Sequence, residues 1–337
     1  MRLVQARTRI GPRRRSTRWS GVALGCLSAT LLMAGCRMAG TSAVQQLTVA
    51  AVPGFDNAPL RVAINDKLFS HHGVSVTVQS YPTLKKAYAA LASGRADVVS
   101  GDYASLLYEQ AQKHAQLRLI ADGYDAVPGM MEVLTLPGSG ITTPQQLVGK
   151  YVATPLAPLA QFKRNIPYSI ETLTTDSVLE SDGVSPSSIN WTPMPAGDLI
   201  KALHDHTVSA IVVTDPYILK AETQLGAVEL LDACSGVTAS LPLSGYFSTA
   251  SYAGKHAAAL RGFQAALSQA KSDSAMPGTV QPVLTGLPGM TTQEAALVTL
   301  GQYPTSLSAG QVQRVADLMY SAGMITAPVS VKGMVFH

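Results

Sequence analysis

The chain has 337 residues, 47% hydrophobic and 14% charged, enough for one large domain or two ordinary ones and too apolar for global disorder. Its formal charge of +4 comes from seven arginines within residues 1–35 (Arg2, Arg7, Arg9, Arg13, Arg14, Arg15 and Arg18), beyond which 18 basic residues face 21 acidic ones. That mildly acidic body has no basic stripe, which excludes nucleic acid as a partner.

The basic start runs into "WSGVALGCLSATLLMAGC", residues 19–36. A charged region, an apolar region and small residues in that order make a secretory signal, too short for an ordinary membrane span. Its end, Leu32-Met33-Ala34-Gly35-Cys36, resembles the bacterial lipobox. That resemblance implies lipidation at Cys36, a signal peptide over 1–35 and a protein held at the outer face of the membrane. Residues 36–45 read as a small, polar tether. Cys26 leaves with the signal, so Cys234 is the only thiol of the body and no internal disulfide is expected. Its expected place is a buried apolar site.

In the body, "LTVAAV" (Leu47–Val52) is a strand and "PGFDNAP" a turn-rich loop. One amphipathic helix is expected in "LRVAINDKLFSHHG", closed by Gly73 in the left-handed position. "VSVTVQSY" alternates as a strand, and a helix follows from Pro82 to Gly94. "ADVVSG" is a third strand, "YASLLYEQAQKH" a helix and "LRLIADGY" a fourth strand. Strands and helices alternating at short spacing predict a mostly parallel sheet covered on both faces.

A second unit repeats the pattern. "MEVLTL", "YVATP", "INWTPMP" and "VSAIVVTDPY" are strands, and helices are expected over "TTPQQLVGK", Ser169–Ser181 and "AGDLIKALHDH". "ALASGRADVV" (Ala90–Val99) recurs here as "ALHDHTVSAIVV" (Ala202–Val213), with Asp97 and Ser209 in matching places. "TASLPLSGYFSTA" is extended, and helices follow over Lys255–Lys271, Pro277–Leu284, Thr292–Tyr303 and Ala309–Ala322. Two such sheets with facing strand tips would enclose one cleft, because ligands of open α/β sheets sit beyond the carboxyl ends of the strands.

These stretches resemble a known family. Residues 47–107 look like the N-terminal half of the nitrate/sulfonate/taurine and thiamine-precursor solute-binding proteins of ABC importers. "DPY" at Asp215–Tyr217 resembles the "EPY" or "EPF" of the second lobe in that family, and "YPTSLSAGQVQRVADLMYSAGMI" resembles its C-terminal helices. The resemblance implies a two-lobed periplasmic-binding-protein type II fold. Lobe 1 would take residues 46–130 and 239–337, lobe 2 residues 131–238, and "MEVLTL" and "TASLPLSGYF" would be the hinge crossings. It also implies a small organic nitrogen- or sulfur-containing solute, partnership with a permease and an ATPase subunit, no enzymatic activity, no cofactor and a monomer. His206 and Ser209 replace the glycine and aspartate usual in the family's second turn. The loop 156–168 is longer than the family's.

The loops aimed at the cleft supply the candidate ligand-binding residues: Phe55, Asp56, Asn57, Tyr81, Thr83, Asp102, Tyr103, Asn165, Tyr168, Asp215, Tyr217, Ser244 and Tyr246. The tyrosines could stack on a ring. Helix starts at Pro82 and near Ser169 offer free N–H groups to an acceptor. Asp56, Asp102 and Asp215, with no cation in the shortest tip loops, favour a donor-bearing ligand such as an amine or amidine-like heterocycle. Competing structural roles are capping for Asp56 and Asp102 and a turn for Asp215.

Chemistry finds less support. There is no Gly-x-Ser-x-Gly elbow and no phosphate loop. The histidines are not at the i,i+4 spacing that puts two metal ligands on one helical face, so no metal is expected. Two alternatives stand beside the binding protein. One is an enzyme of the same fold, as in thiamine-pyrimidine synthesis or menaquinone biosynthesis; the export signal opposes it. The other is a sensor that presents ligand to a receptor.

Overall fold

The computed structural model describes residues 44–112, 116–156 and 169–337, together with the backbone of 162–163 and 166–167. The signal segment, Cys36, His114, Asn165 and Tyr168 lie outside the described residues.

The first sheet is built from β1 (Gln45–Ala51), β2 (Val74–Ser80), β3 (Val98–Asp102) and β4 (Leu117–Asp125). Between them run helices α1 (Ala58–Asn65), α2 (Leu68–His71), α3 (Leu84–Ala92) and α4 (Tyr103–Ala111). The single helix expected after Pro59 is two, because Lys67 stands at φ 57° and breaks it. Gly73 ends the second one at φ 71°, where a glycine avoids the steric penalty of a Cβ. Helix α3 starts at Leu84 and not at Pro82, because the Thr83 hydroxyl caps it by accepting from the Lys86 amide.

The second sheet is built from β5 (Met131–Thr135), β6 (Tyr151–Pro155), β9 (Asn190–Met194), β10 (Ala210–Thr214) and β11 (Val228–Asp232). A two-strand ribbon of β7 (Phe162–Lys163) and β8 (Ile166–Pro167) follows β6. Helices α5 (Ile170–Ser181), α6 (Ala196–His204) and α7 (Tyr217–Leu225) flank the sheet. "TTPQQLVGK" forms only a 3-10 turn, Pro144–Leu147.

The chain then returns as β12 (Pro242–Thr249), followed by α8 (Ala250–Lys255), α9 (Ala257–Asp273), α10 (Pro277–Leu284), α11 (Thr292–Leu297) and α12 (Ala309–Ser321). Helix α11 stops six residues before Tyr303, since Val298 is already extended at ψ 142°.

Strand order is β2-β1-β3-β12-β4 in one sheet and β11-β5-β10-β6-β9 in the other. Both sheets are more mixed than the sequence pattern predicts. In each, a strand arriving from the other sheet lies antiparallel beside the inner strand: β12 against β3, and β5 against β10. The runs 126–130 and 233–241 connect the two sheets, and the expected crossings "MEVLTL" and "TASLPLSGYF" largely form strands within them. The repeated phrase lies at matching places. The Gly94 amide donates to Leu91 and the His206 amide to Leu203, and the Asp97 and Ser209 amides donate to Thr48 and Tyr151. Val98 pairs with Val49 in β1, and Ala210 with Val152 in β6.

Apolar packing explains why the strands read as continuous apolar runs. Leu47 and Val49 face α1 and α9 in one core, while Val99, Leu106 and Leu119 belong to another that continues through Met131 and Val133 to the second sheet. Helix α12 packs on both α4 and α5, so the two sheets share buried apolar surface on this side.

Candidate functional site

Strand polarity places the site. Parallel strands β1, β3, β6 and β10 end at Ala51, Asp102, Pro155 and Thr214, and the antiparallel arrivals β12 and β5 begin at Pro242 and Met131. All these ends, or the residues next to them, line one cleft of about 910 Å³. That is the size range of small-molecule sites.

Nine of the expected residues line it: Phe55, Asp56, Asn57, Tyr81, Thr83, Asp102, Asp215, Tyr217 and Ser244. Tyr103 and Tyr246 do not, which corrects the sequence reading. Both are fully buried. Tyr103 opens α4 and turns its ring under the sheet, donating its hydroxyl to Asp122 at 2.8 Å. Tyr246 lies two residues inside β12 from Ser244, and its hydroxyl donates to Asn57 Oδ1 at 3.2 Å. Lys271 stands behind both, donating to the Asp122 carbonyl and placing Nζ 5.9 Å from the Tyr246 ring centre.

Several lining residues also hold the structure. Asn57 is buried and donates to the Val52 carbonyl at 3.0 Å. Asp102 Oδ1 caps α4 by accepting from the Ser105 amide at 2.7 Å, the preferred use of Asp at an N-cap. Asp215 accepts from the Leu219 amide at 3.2 Å and, through its other oxygen, from the Thr299 amide at 2.6 Å. It therefore fixes the start of α7 and ties it to the segment that follows α11.

The acids of the cleft sit in a poor environment for charge. Burial, with the negative charges of Glu171 and Asp56 adding to it, pushes the Asp102 carboxyl up to about 7. Burial pushes Asp56 up to about 6, opposed by hydrogen bonding from its neighbours. Ser244 Oγ stands close enough to Asp56 to draw its pKa down, yet makes no hydrogen bond of normal geometry. Burial also raises Asp215. The one Lys or Arg among the described lining residues is Lys220. It is held elsewhere: Nζ lies 3.3 Å from Glu294 Oε1 and 3.4 Å from the Gly289 carbonyl.

The cleft also includes Leu243, beside Ser244, and Tyr124, Met130, Met131, Glu171, Lys220, Thr299 and the run 287–290, which sequence reasoning missed. Glu171 was legible in principle, as an acid in the first turn of a helix with Ser169 as its cap. Tyr124 and the run 287–290 carry no local signal, because distant segments bring them there. No histidine or cysteine lines the cleft among the described residues. Cys234 is buried and its thiol pKa is raised, chiefly by burial.

Two mixed sheets flanked by helices, joined by two crossings and open to one cleft, define the two-lobed fold of the periplasmic binding proteins. The aliphatic sulphonate binding protein of Escherichia coli superposes with a TM-score of 0.68 at 19% identity, over 87% of this chain and 97% of that one. A ligand-binding component of an ABC-type import system from Staphylococcus aureus gives 0.69 at 15% identity, over 86% and 96%. The nitrate-binding protein of Synechocystis gives 0.68 at 11% identity, over 86% and 84%. The profile of the NMT1/THI5-like family matches residues 55–276, and the chain belongs to that family. No curated protein matches it.

Proposed function

We propose that the protein is an extracytoplasmic, lipid-anchored solute-binding protein that delivers a small organic nitrogen- or sulfur-containing solute to an ABC importer. The observation that carries this is a cleft of about 910 Å³ walled by strand tips from both sheets. The fold shared with sulphonate-, nitrate- and import-linked binding proteins supports it. In this reading lobe 1 is 46–130 with 239–337, lobe 2 is 131–238, and rotation at 126–130 and 233–241 closes the lobes on the solute. The closed, loaded form, acting as a monomer, is the one the permease and its ATPase engage. Phe55, Asp56, Tyr81, Thr83, Asp102, Tyr217 and Ser244 contact the solute from the described walls, and Asn165 and Tyr168 do so from the long loop. Cys36 carries the lipid.

The test is thermal melting with candidate solutes, paired with mass spectrometry of the bound compound. A solute that raises the melting temperature and is recovered chemically unchanged is the expected result. Recovery of a covalently altered compound would overturn the reading in favour of a same-fold enzyme. In the native host, Cys36→Ala is expected to move the protein from the membrane fraction to the soluble one.

A further inference from the structure

Two of the solved neighbours are named for anions, sulphonate and nitrate, and a third has zinc bound. The described walls of this cleft carry acids instead. Asp56, Asp102 and Glu171 line it together, and the charges of Glu171 and Asp56 add to the burial that raises the Asp102 pKa. Asp102 spends one oxygen on the Ser105 amide, and Asp56 Oδ1 accepts from its neighbour Asn57 at 3.1 Å. Lys220, the cation of the described walls, is committed to Glu294 and the Gly289 carbonyl. Among the described lining residues no other Lys or Arg faces the carboxylates.

A second observation points to a ligand independently of the charges. Ser244 is 6% exposed and lines the cleft, and its Oγ is a buried polar atom without a hydrogen-bond partner. Leaving such a group without a partner is costly, and a solute polar group can recover that cost. Ser244 lies opposite Asp102 in the β12–β3 register. The hydroxyl and Asp102 thus share the first-sheet wall, with Asp56, Glu171, Tyr81 and Tyr217 on the same cleft.

We infer that the solute is an organic cation, a compound bearing a protonated amine or amidinium group that Asp102, Asp56 and Glu171 neutralise and Ser244 Oγ helps to orient. This rests on the binding-protein reading above and names the solute class of the same cleft. Charge-assisted N–H···O contacts to carboxylates are about twice as strong as neutral ones. A positive group also removes the mutual repulsion of the three acids, whereas a sulphonate or nitrate would add to it.

The experiment is thermal melting of the mature protein at pH 8 with agmatine, benzamidine, ethanesulfonate and nitrate, alongside native mass spectrometry of protein purified from its own host. A rise of several degrees with agmatine or benzamidine, none with the two anions, and a co-purified solute with a basic nitrogen are expected. Glu171→Gln is expected to weaken the amine about tenfold, and Asp102→Asn, which keeps an N-cap, by a similar factor. Stabilisation by ethanesulfonate or nitrate, or a co-purified solute without a basic nitrogen, would overturn the cation assignment and leave the binding-protein reading standing. If no compound shifts the melt and no solute accompanies the protein, both readings fall.

Discussion

His206 occupies the turn that Gly94 makes in the first sheet, at φ 55° against φ 72°. An L side chain in this region is strained by roughly 1–2 kcal/mol, partly offset by the larger unfolded-state freedom of glycine. His206→Gly is therefore expected to raise stability by up to about 1 kcal/mol, seen as a higher denaturant midpoint with an unchanged slope. Gly245 shows the converse constraint. A Cβ there would come 2.6 Å from Tyr103 Oη and 2.7 Å from Cζ. The ring cannot retreat, being fully buried and bonded to Asp122. Gly245→Ala should cost about 1–3 kcal/mol, measured the same way. It should also weaken solute binding, because β12 carries Ser244.

Two elements brace the sheets from outside. Helix α7, on the second sheet, meets the segment after α10, whose Leu287 and Ala295 pack into the core around α1 and α9. Asp215 accepts the Thr299 amide, and Lys220 pairs with Glu294. Asp215→Ala strands two amides at once, and a loss of roughly 1–3 kcal/mol is expected, with faster hydrogen exchange at Leu219 and Thr299. Helix α12 braces the second crossing, where Arg314 donates to the Val237 carbonyl at 3.1 Å and the Ala239 carbonyl at 3.2 Å. Arg314→Ala should loosen exchange at 237–241 while costing only about 1 kcal/mol globally, since the side chain lies at the surface.

Across the whole molecule, buried acids set the response to pH. Burial raises Asp122 to about 6, Asp125 to about 7 and Glu132 to about 7, in addition to Asp56 and Asp102 in the cleft. The ordinary values are 3.8 for Asp and 4.5 for Glu. Between those values and about 7, the folded state holds protons that the unfolded chain has released. Stability then falls as pH rises. Melting of the unliganded protein is expected to be highest at about pH 4 and to decline toward pH 8, which a pH series of melts checks. A cationic solute opposes this trend, because it binds the ionised carboxylates; its stabilising effect should grow over the same interval.

Much of this was legible along the chain. The helix over Pro277–Leu284, the start of α5 behind Ser169 and the matched turns at Gly94 and His206 all follow from caps, breakers and apolar spacing, which are local. So does the delivery of Asp102 and Asp215 to strand tips, since a parallel strand and the helix after it fix where the tip lies. Tertiary structure alone decided the rest. Insertion of β12 between β3 and β4 depends on pairing residues more than 100 positions apart in sequence, and no local pattern records it. That insertion sent Tyr246 into the core and left Ser244 at the tip. The packing of α10 and α11 beside α7 decided that Lys220 would answer Glu294, and so decided the charge the cleft presents to a solute.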